Sequence, residues 1–173
     1  MIILDYYEVI YLDLSSVQFR LATDADVPAL RVLVNSAYQQ LADLGLNFTG
    51  TYQDEVITRE RMVNNEVHLA CAYDELVGTI SLEVKTNKGD LPVLYLTQLA
   101  VAPKFKRQGL GRILLGLAEE KAREKGICRL QLDTAAPASH LVQLYLSQGF
   151  EIIEQVQWGG KTYPSYIMEK HLK

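Results

Sequence analysis

Between Lys104 and Arg112 the chain reads KFKRQGLGR, four cations and two glycines in nine residues. It then runs into apolar residues at helical spacing: Leu110, Ile113, Leu114, Leu117, Ala118 and Ala122. Cations at a helix start oppose the partial positive charge that its first amides already carry. A bound anion would resolve that conflict. Gly109 and Gly111 have no Cβ, so backbone amides there can approach a ligand closely. The first amides of a helix also lack internal partners. Together these groups make an anion cradle, for which phosphate is the usual occupant. Lys106, Arg107 and Arg112 would add charge around it. The plainer alternative is a tight turn with solvated basic residues. A strand that feeds the loop directly, a long helix and a first turn without Asp or Glu argue against that alternative.

A phosphate cradle can serve several ligands. A Walker loop needs Gly-x-x-x-x-Gly-Lys-Ser/Thr, and nothing fits. A dinucleotide fingerprint needs Gly-x-Gly-x-x-Gly. Its third position here is Leu114, although Gly116 follows and Asp133 ends the next strand about where a ribose-binding acid would lie. The basic loop is wrong for that fingerprint, and helices and strands do not alternate through the rest of the chain. A third candidate is the pyrophosphate of coenzyme A.

The elements that must position the cradle follow from periodicity. "VQFRLAT" alternates as a strand. "DADVPALRVLVNSAYQQLADLG" is an amphipathic helix capped by Asp24 or Asp26, with Pro28 in its first turn and Leu30, Leu33, Val34, Ala37, Tyr38 and Leu41 on one side. A short helix is expected over Val56–Asn64. "EVHLACAY", a turn at Asp74-Glu75, "LVGTISLEVKT", a turn at "NKGDLP" and "VLYLTQLAV" give three strands. After the long helix, which Gly126 ends, come "CRLQLDT", "SHLVQLYLSQG", "FEIIEQVQW" and "TYPSYIMEKHL" as strand, helix, strand, strand. This reads as one α/β domain over 17–173 with a mixed sheet, whose centre is a parallel strand–helix–strand crossover from Val93 to Asp133. Residues 1–16 form an extension of no assignable role.

Composition sets outer limits. The chain has 173 residues, 49% hydrophobic and 22% charged, which suits a soluble globular domain with a proper core. Its net charge of -4 argues against bulk nucleic-acid binding. The two cysteines, Cys71 and Cys128, lie in apolar strand-like stretches and are expected as buried thiols. The scattered histidines, His68, His140 and His171, give no zinc spacing. No secretory leader or membrane span is read, so a cytoplasmic location is expected.

The stretch "LTQLAVAPKFKRQGLGRILL" resembles the central motif of the GNAT superfamily of N-acetyltransferases: a strand with Leu-x-Val, a Pro, then Gln/Arg-x-x-Gly-x-Gly/Ala opening a helix. Lys106, Gly109 and Gly111 occupy the defining positions, with Lys106 departing from the usual Gln or Arg. "LYLSQGF" resembles the family's later signature, in which a Tyr five residues before the Phe lies near the thioester sulfur. Tyr145 holds that place. Where the family often has Asn, seven residues before that Tyr, this chain has Ala138. The resemblance is specific over about 98–150 and looser from Val17 to Tyr166. It implies a mostly antiparallel sheet of about seven strands, helices on both faces, and fourth and fifth strands splayed to admit acetyl-CoA.

It also implies direct attack of an amine on the thioester. Cofactor contacts would come from Leu99, Ala100 and Val101, whose strand can pair with pantetheine amides, and from Lys106, Arg107, Gln108, Gly109, Leu110, Gly111 and Arg112. One free N–H of that strand could stabilise the oxyanion. Tyr145 is the candidate acid for the departing thiolate. The base is less defined. Some members carry Glu at the position of Tyr95, which leaves Glu83 as the candidate here, with Asp54, Glu55 or a water relay past Gln98 as alternatives. The acceptor should enter between the segment Tyr38–Asn64 and the C-terminal hairpin, and its aromatic and acidic residues suit a small amine or amino-acid-like acceptor. The alternatives are a protein N-terminus or lysine as acceptor, and a non-catalytic acyl-CoA-sensing module. No metal is expected, and a homodimer stays open.

Overall fold

The computed structural model describes residues 11–86 and 91–173. Seven strands form one sheet: β1 (Gln18–Leu21), β2 (Glu66–Ala72), β3 (Glu75–Lys85), β4 (Val93–Val101), β5 (Arg129–Ala135), β6 (Glu151–Val156) and β7 (Ser165–His171). Their order is β1-β2-β3-β4-β5-β7-β6. Only β4 and β5 pair in parallel; the other neighbours are antiparallel. Four helices accompany them: α1 (Val27–Asp43), α2 (Glu55–Asn64), α3 (Leu110–Glu124) and α4 (Ser139–Ser147).

The helices form where the patterns require. Pro28 sits in the first turn of α1, where its missing N–H costs nothing. Asp54 caps α2 by accepting from the Ile57 amide at 2.8 Å. Gly126, at φ 68°, takes the left-handed conformation that ends α3. Leu30, Val34 and Ala37 of α1 pack on Val67, Leu69 and Ala100. Leu110, Leu114 and Ala118 of α3 pack on Ala70, Leu94 and Leu130. Alternate residues of β2 serve opposite cores, as the two-residue period of a strand demands.

Two expectations need correction. The β2–β3 turn centres on Tyr73 and Asp74, at φ 54° and 59°, one residue earlier than Asp74-Glu75. Paired positive φ is what tight two-residue hairpins require. Cys128 is exposed and Cys71 half-buried, because Cys128 precedes β5 instead of lying within it. The "NKGDLP" turn falls largely on 87–90, outside the described residues. Among the described residues no helix is long and apolar enough to cross a membrane.

The feature that matters for function lies between β4 and β5. Their pairing covers only Leu94↔Leu130, Tyr95↔Gln131 and Leu96↔Leu132. Beyond that the strands part. The cause is visible on the other side of β4, where Ser81 pairs with Gln98 but Leu82 with Leu96. Thr97 is therefore an extra residue, and such a bulge bends its strand.

Candidate active site

A cavity of about 1030 Å³ opens at this parting. Its walls are 96–101 of β4, 132–134 of β5, the loop before α3, one side of α4, and a second group from α1, α2, residues 48–50 and the β6–β7 hairpin. That volume is at the upper end for a small-molecule site.

The loop before α3 forms one end. Arg107 (φ 63°) and Gly109 (φ 95°) are both left-handed. Tight turns of this kind make concavities of backbone N–H groups that bind anions. The amides of Arg107, Gly109, Leu110 and Gly111 have no hydrogen bond among the described residues, whereas that of Arg112 already bonds Gly109 O at 3.0 Å. A Cβ on Gly111 would meet nothing within 4 Å, because the space beside it is the cavity. The cradle's shape and donors fit a diphosphate.

The side chains around the cradle differ in use. Arg107 and Arg112 border the cavity, are exposed, and form no ion pair among the described residues. Lys106 also borders it, but its ammonium donates to Ala37 O at 2.7 Å, and burial pushes its pKa down. Gln108 turns away: its Oε1 accepts from the Leu12 amide at 2.6 Å. Leu110 points into the core. These two are placed to act through backbone only. Lys104 lies outside, paired with Glu75.

On β4, Leu99, Ala100 and Val101 all border the cavity. The Tyr38 hydroxyl donates to Leu99 O at 3.1 Å on the edge that β5 has left. A strand residue's N–H and C=O point to the same edge, so the Leu99 N–H also faces the opening.

Tyr145 reaches the cavity from α4, edge-on to Phe150 at 5.9 Å. Its hydroxyl has no hydrogen bond among the described residues. Burial raises its pKa, with Tyr38 and Asp133 adding to the shift, so the phenol keeps its proton at neutral pH.

Glu83 is not at the site. Its carboxylate is half-exposed, 3.6 Å from Lys85, and does not border the cavity. It pairs with Tyr95 in the β3–β4 register, below the point where the strands part. Asp54 and Glu55 are likewise outside, spent at the start of α2. Gln98 does border the cavity, but its amide donates to Gln53 Oε1 at 2.8 Å. The one carboxylate on the cavity wall, among the described residues, is Asp133. The Tyr95 hydroxyl donates to its Oδ1 at 2.7 Å. In the sequence the two residues are unconnected: Tyr95 stands where some family members carry an acid, and Asp133 lies near the end of a strand. The signal that links them is the parallel register, which sets Tyr95 opposite Gln131, two residues before Asp133.

Comparison with known proteins agrees with this geometry. The model of the acetyltransferase (GNAT) family matches residues 31–150. The chain belongs to the GNAT family. It is 30% identical over 139 residues to the S-alkylcysteine N-acetyltransferase of Bacillus subtilis, covering 78% of each chain. A ribosomal-protein-alanine N-acetyltransferase from Brucella melitensis superposes with TM-score 0.72 at 27% identity, over 90% of this chain and 99% of that one. The PaiA N-acetyltransferase of Thermoplasma acidophilum, solved with coenzyme A, gives TM-score 0.67 at 22% identity, over 90% and 99%, and supports the fold. This GNAT chain is an acetyl-CoA-dependent N-acetyltransferase.

Proposed function

We propose that this enzyme acetylates the amine of a small, amino-acid-like acceptor, with Asp133 and Tyr145 as its base and acid. The observation that supports the reading is that one cavity, opened by the Thr97 bulge, is lined by a carboxylate oriented by Tyr95, the Tyr145 phenol, the β4 edge that β5 leaves and the amides of the loop before α3. Acetyl-CoA supplies an activated acetyl group as a thioester. The chain's own residues perform the remaining work. The amides of Arg107, Gly109, Leu110 and Gly111 hold the diphosphate, assisted by Arg107 and Arg112. The open edge of Leu99–Val101 aligns the pantetheine arm. Asp133 takes the proton from the acceptor ammonium, directly or through one water. The Leu99 N–H donates to the carbonyl oxygen as negative charge builds there. The Tyr145 hydroxyl donates to the sulfur as the C–S bond breaks. The thiolate of a thiol near pKa 8.5 is a weaker base than a phenolate, so this is a strengthening hydrogen bond and not full transfer in advance; the second amine proton, shed as the C–N bond forms, ends on the departing sulfur.

The small-acceptor reading is supported by the aromatic wall of the second chamber. Phe48 lies edge-on to Tyr38 at 5.7 Å and stacks on Tyr163 at 5.0 Å. It is also supported by the S-alkylcysteine-acetylating relative. The test is release of free thiol from acetyl-CoA with a broad panel of amines, amino acids and peptides. Turnover with small amines, and little with peptides, is the expected result. Acetyl-CoA binding without thiol release from any amine would overturn it.

A further inference from the structure

We propose that Arg61 reads a carboxylate on the acceptor, so that the site selects free α-amino acids over amines lacking that group and over peptide N-termini. This rests on the acetyltransferase reading above and names its substrate class.

Among the described residues, five cationic side chains and one carboxylate border the cavity: Arg61, Lys106, Arg107, Arg112 and Lys161 against Asp133. Three of the five belong to the cradle end. Lys161 is committed, donating to Asn47 O at 2.9 Å and lying 3.5 Å from Thr49 Oγ1, so it ties the β6–β7 hairpin to the loop after α1. Arg61 is different. It projects from the last turn of α2, is half-buried, and among the described residues makes one long hydrogen bond, Nη1 to Thr97 O at 3.3 Å. It forms no ion pair among the described residues. A guanidinium carries five N–H donors, so most of its capacity is unspent. Leaving such a group partly desolvated without an anion is costly.

Arg61 and Asp133 border the same cavity from different sides, Arg61 against Thr97 O of β4 and Asp133 on β5. Both charges act on the Tyr38 hydroxyl, whose pKa burial raises; Arg61 pulls it down and Asp133 pushes it up. That hydroxyl sits on Leu99 O, at the centre of the parted strands. An α-amino acid is a zwitterion with its two charges about one residue's width apart. Its ammonium suits Asp133 and its carboxylate suits the planar fork of Arg61, which binds carboxylates through two parallel hydrogen bonds. Phe48, Tyr163 and Trp158 are left as a wall for an apolar side chain. A peptide N-terminus presents an uncharged amide where the carboxylate should be, and would leave Arg61 unpaired.

The experiment uses the full chain with acetyl-CoA, a panel of free L-amino acids, their carboxamides, and tripeptides starting with the same residues. For the best amino acid, kcat/KM should exceed that of its amide by about 100-fold or more. In Arg61→Gln this ratio should collapse towards one, chiefly through KM for the acid, and Arg61→Lys should fall between. Calorimetric titration of that amino acid into the coenzyme-A-saturated protein should show the same loss of affinity in Arg61→Gln, independent of turnover. Equal use of acid and amide by the wild type, preference for the tripeptide, or an unchanged ratio in Arg61→Gln would each overturn the assignment of Arg61 while leaving the acetyltransferase reading intact. Failure of every amine would overturn both.

Discussion

Tyr145 and Asp133 reached the site by different routes, and that decides how each should be tested. Tyr145 is held by α4 with its hydroxyl unpartnered among the described residues and its proton secured by burial. Replacing it with Phe removes one donor and little packing. Tyr145→Phe should lower kcat by about 100-fold, within the usual range for a positioned acid, while the Kd for acetyl-CoA stays within about twofold by calorimetry. A kcat unchanged within error would mean the thiolate leaves unassisted. Asp133→Asn keeps the hydrogen bond from Tyr95 but removes the charge, and should also cost about 100-fold in kcat. Tyr95→Phe should cost less, since the carboxylate stays present but loses its orientation. Glu83→Gln, on the far side of the bulge from the cavity, should leave kcat/KM unchanged. Tyr145 was legible because it stands five positions before Phe150 in a recognisable stretch. Asp133 was not, because its significance depends on strand parting, and a bulge at Thr97 has no signature in the residue types around it.

At the scale of elements, a cofactor cradle in the loop before α3 would act mainly through its backbone. The glycines and cations of KFKRQGLGR pointed to an anion site there. They did not disclose that Lys106 would be spent on α1, that Gln108 would clasp Leu12, or that Arg107 would share the left-handed conformation with Gly109. The clasp also gives the start of the described chain a place: Leu12 is buried and Leu14 packs beside it against the same core. The two glycines should respond differently to substitution. Gly111 is helical and open, so Gly111→Val should retain the fold and fill the cradle, abolishing acetyl-CoA binding by calorimetry. Gly109→Val should also abolish binding but lower Tm, because a β-branched residue at φ 95° is strained and its Cβ would lie 3.3 Å from Leu14 Cδ1. Wild-type affinity in Gly111→Val would show that the diphosphate does not use these amides. Equal Tm in both variants would show that Leu14 and the turn relax freely.

For the molecule as a whole, the closely spaced strands β2, β3 and β4 pair in chain order, whereas β1 is separated from β2 by α1 and α2 and still pairs with it. The final inversion, with β7 inserted between β5 and β6, was not readable. Strands β6 and β7 alone specify a hairpin in either orientation. What selects the order is burial: Ile167, Met168 and Glu169 are buried against β5, whereas Glu151 to Gln155 are exposed at the edge. The opposite edge, β1, is exposed along its whole length and, among the described residues, pairs only with β2. Its attachment to the rest depends on Asp26, whose carboxylate accepts from both terminal nitrogens of Arg20 at 2.8 and 2.7 Å, from the Thr23 amide at 2.8 Å and from the Thr23 hydroxyl at 2.9 Å. The Arg20 hydrogen bonds hold this carboxyl well below the usual carboxylate range, against the opposing effect of burial. A carboxyl whose pKa is lower folded than unfolded stabilises the fold above the unfolded value, near 3.9, and loses that contribution as pH falls through the window below it. Asp26→Asn should therefore cost about 1–2 kcal/mol at pH 7, a drop of roughly 2–8 °C in Tm for a chain of this size. Followed by circular dichroism, the Tm difference between wild type and variant should be constant from pH 7 to 5 and shrink below about pH 4. A difference that persists unchanged into acid would mean that shape, and not the ionised carboxylate, is what fastens β1 to α1.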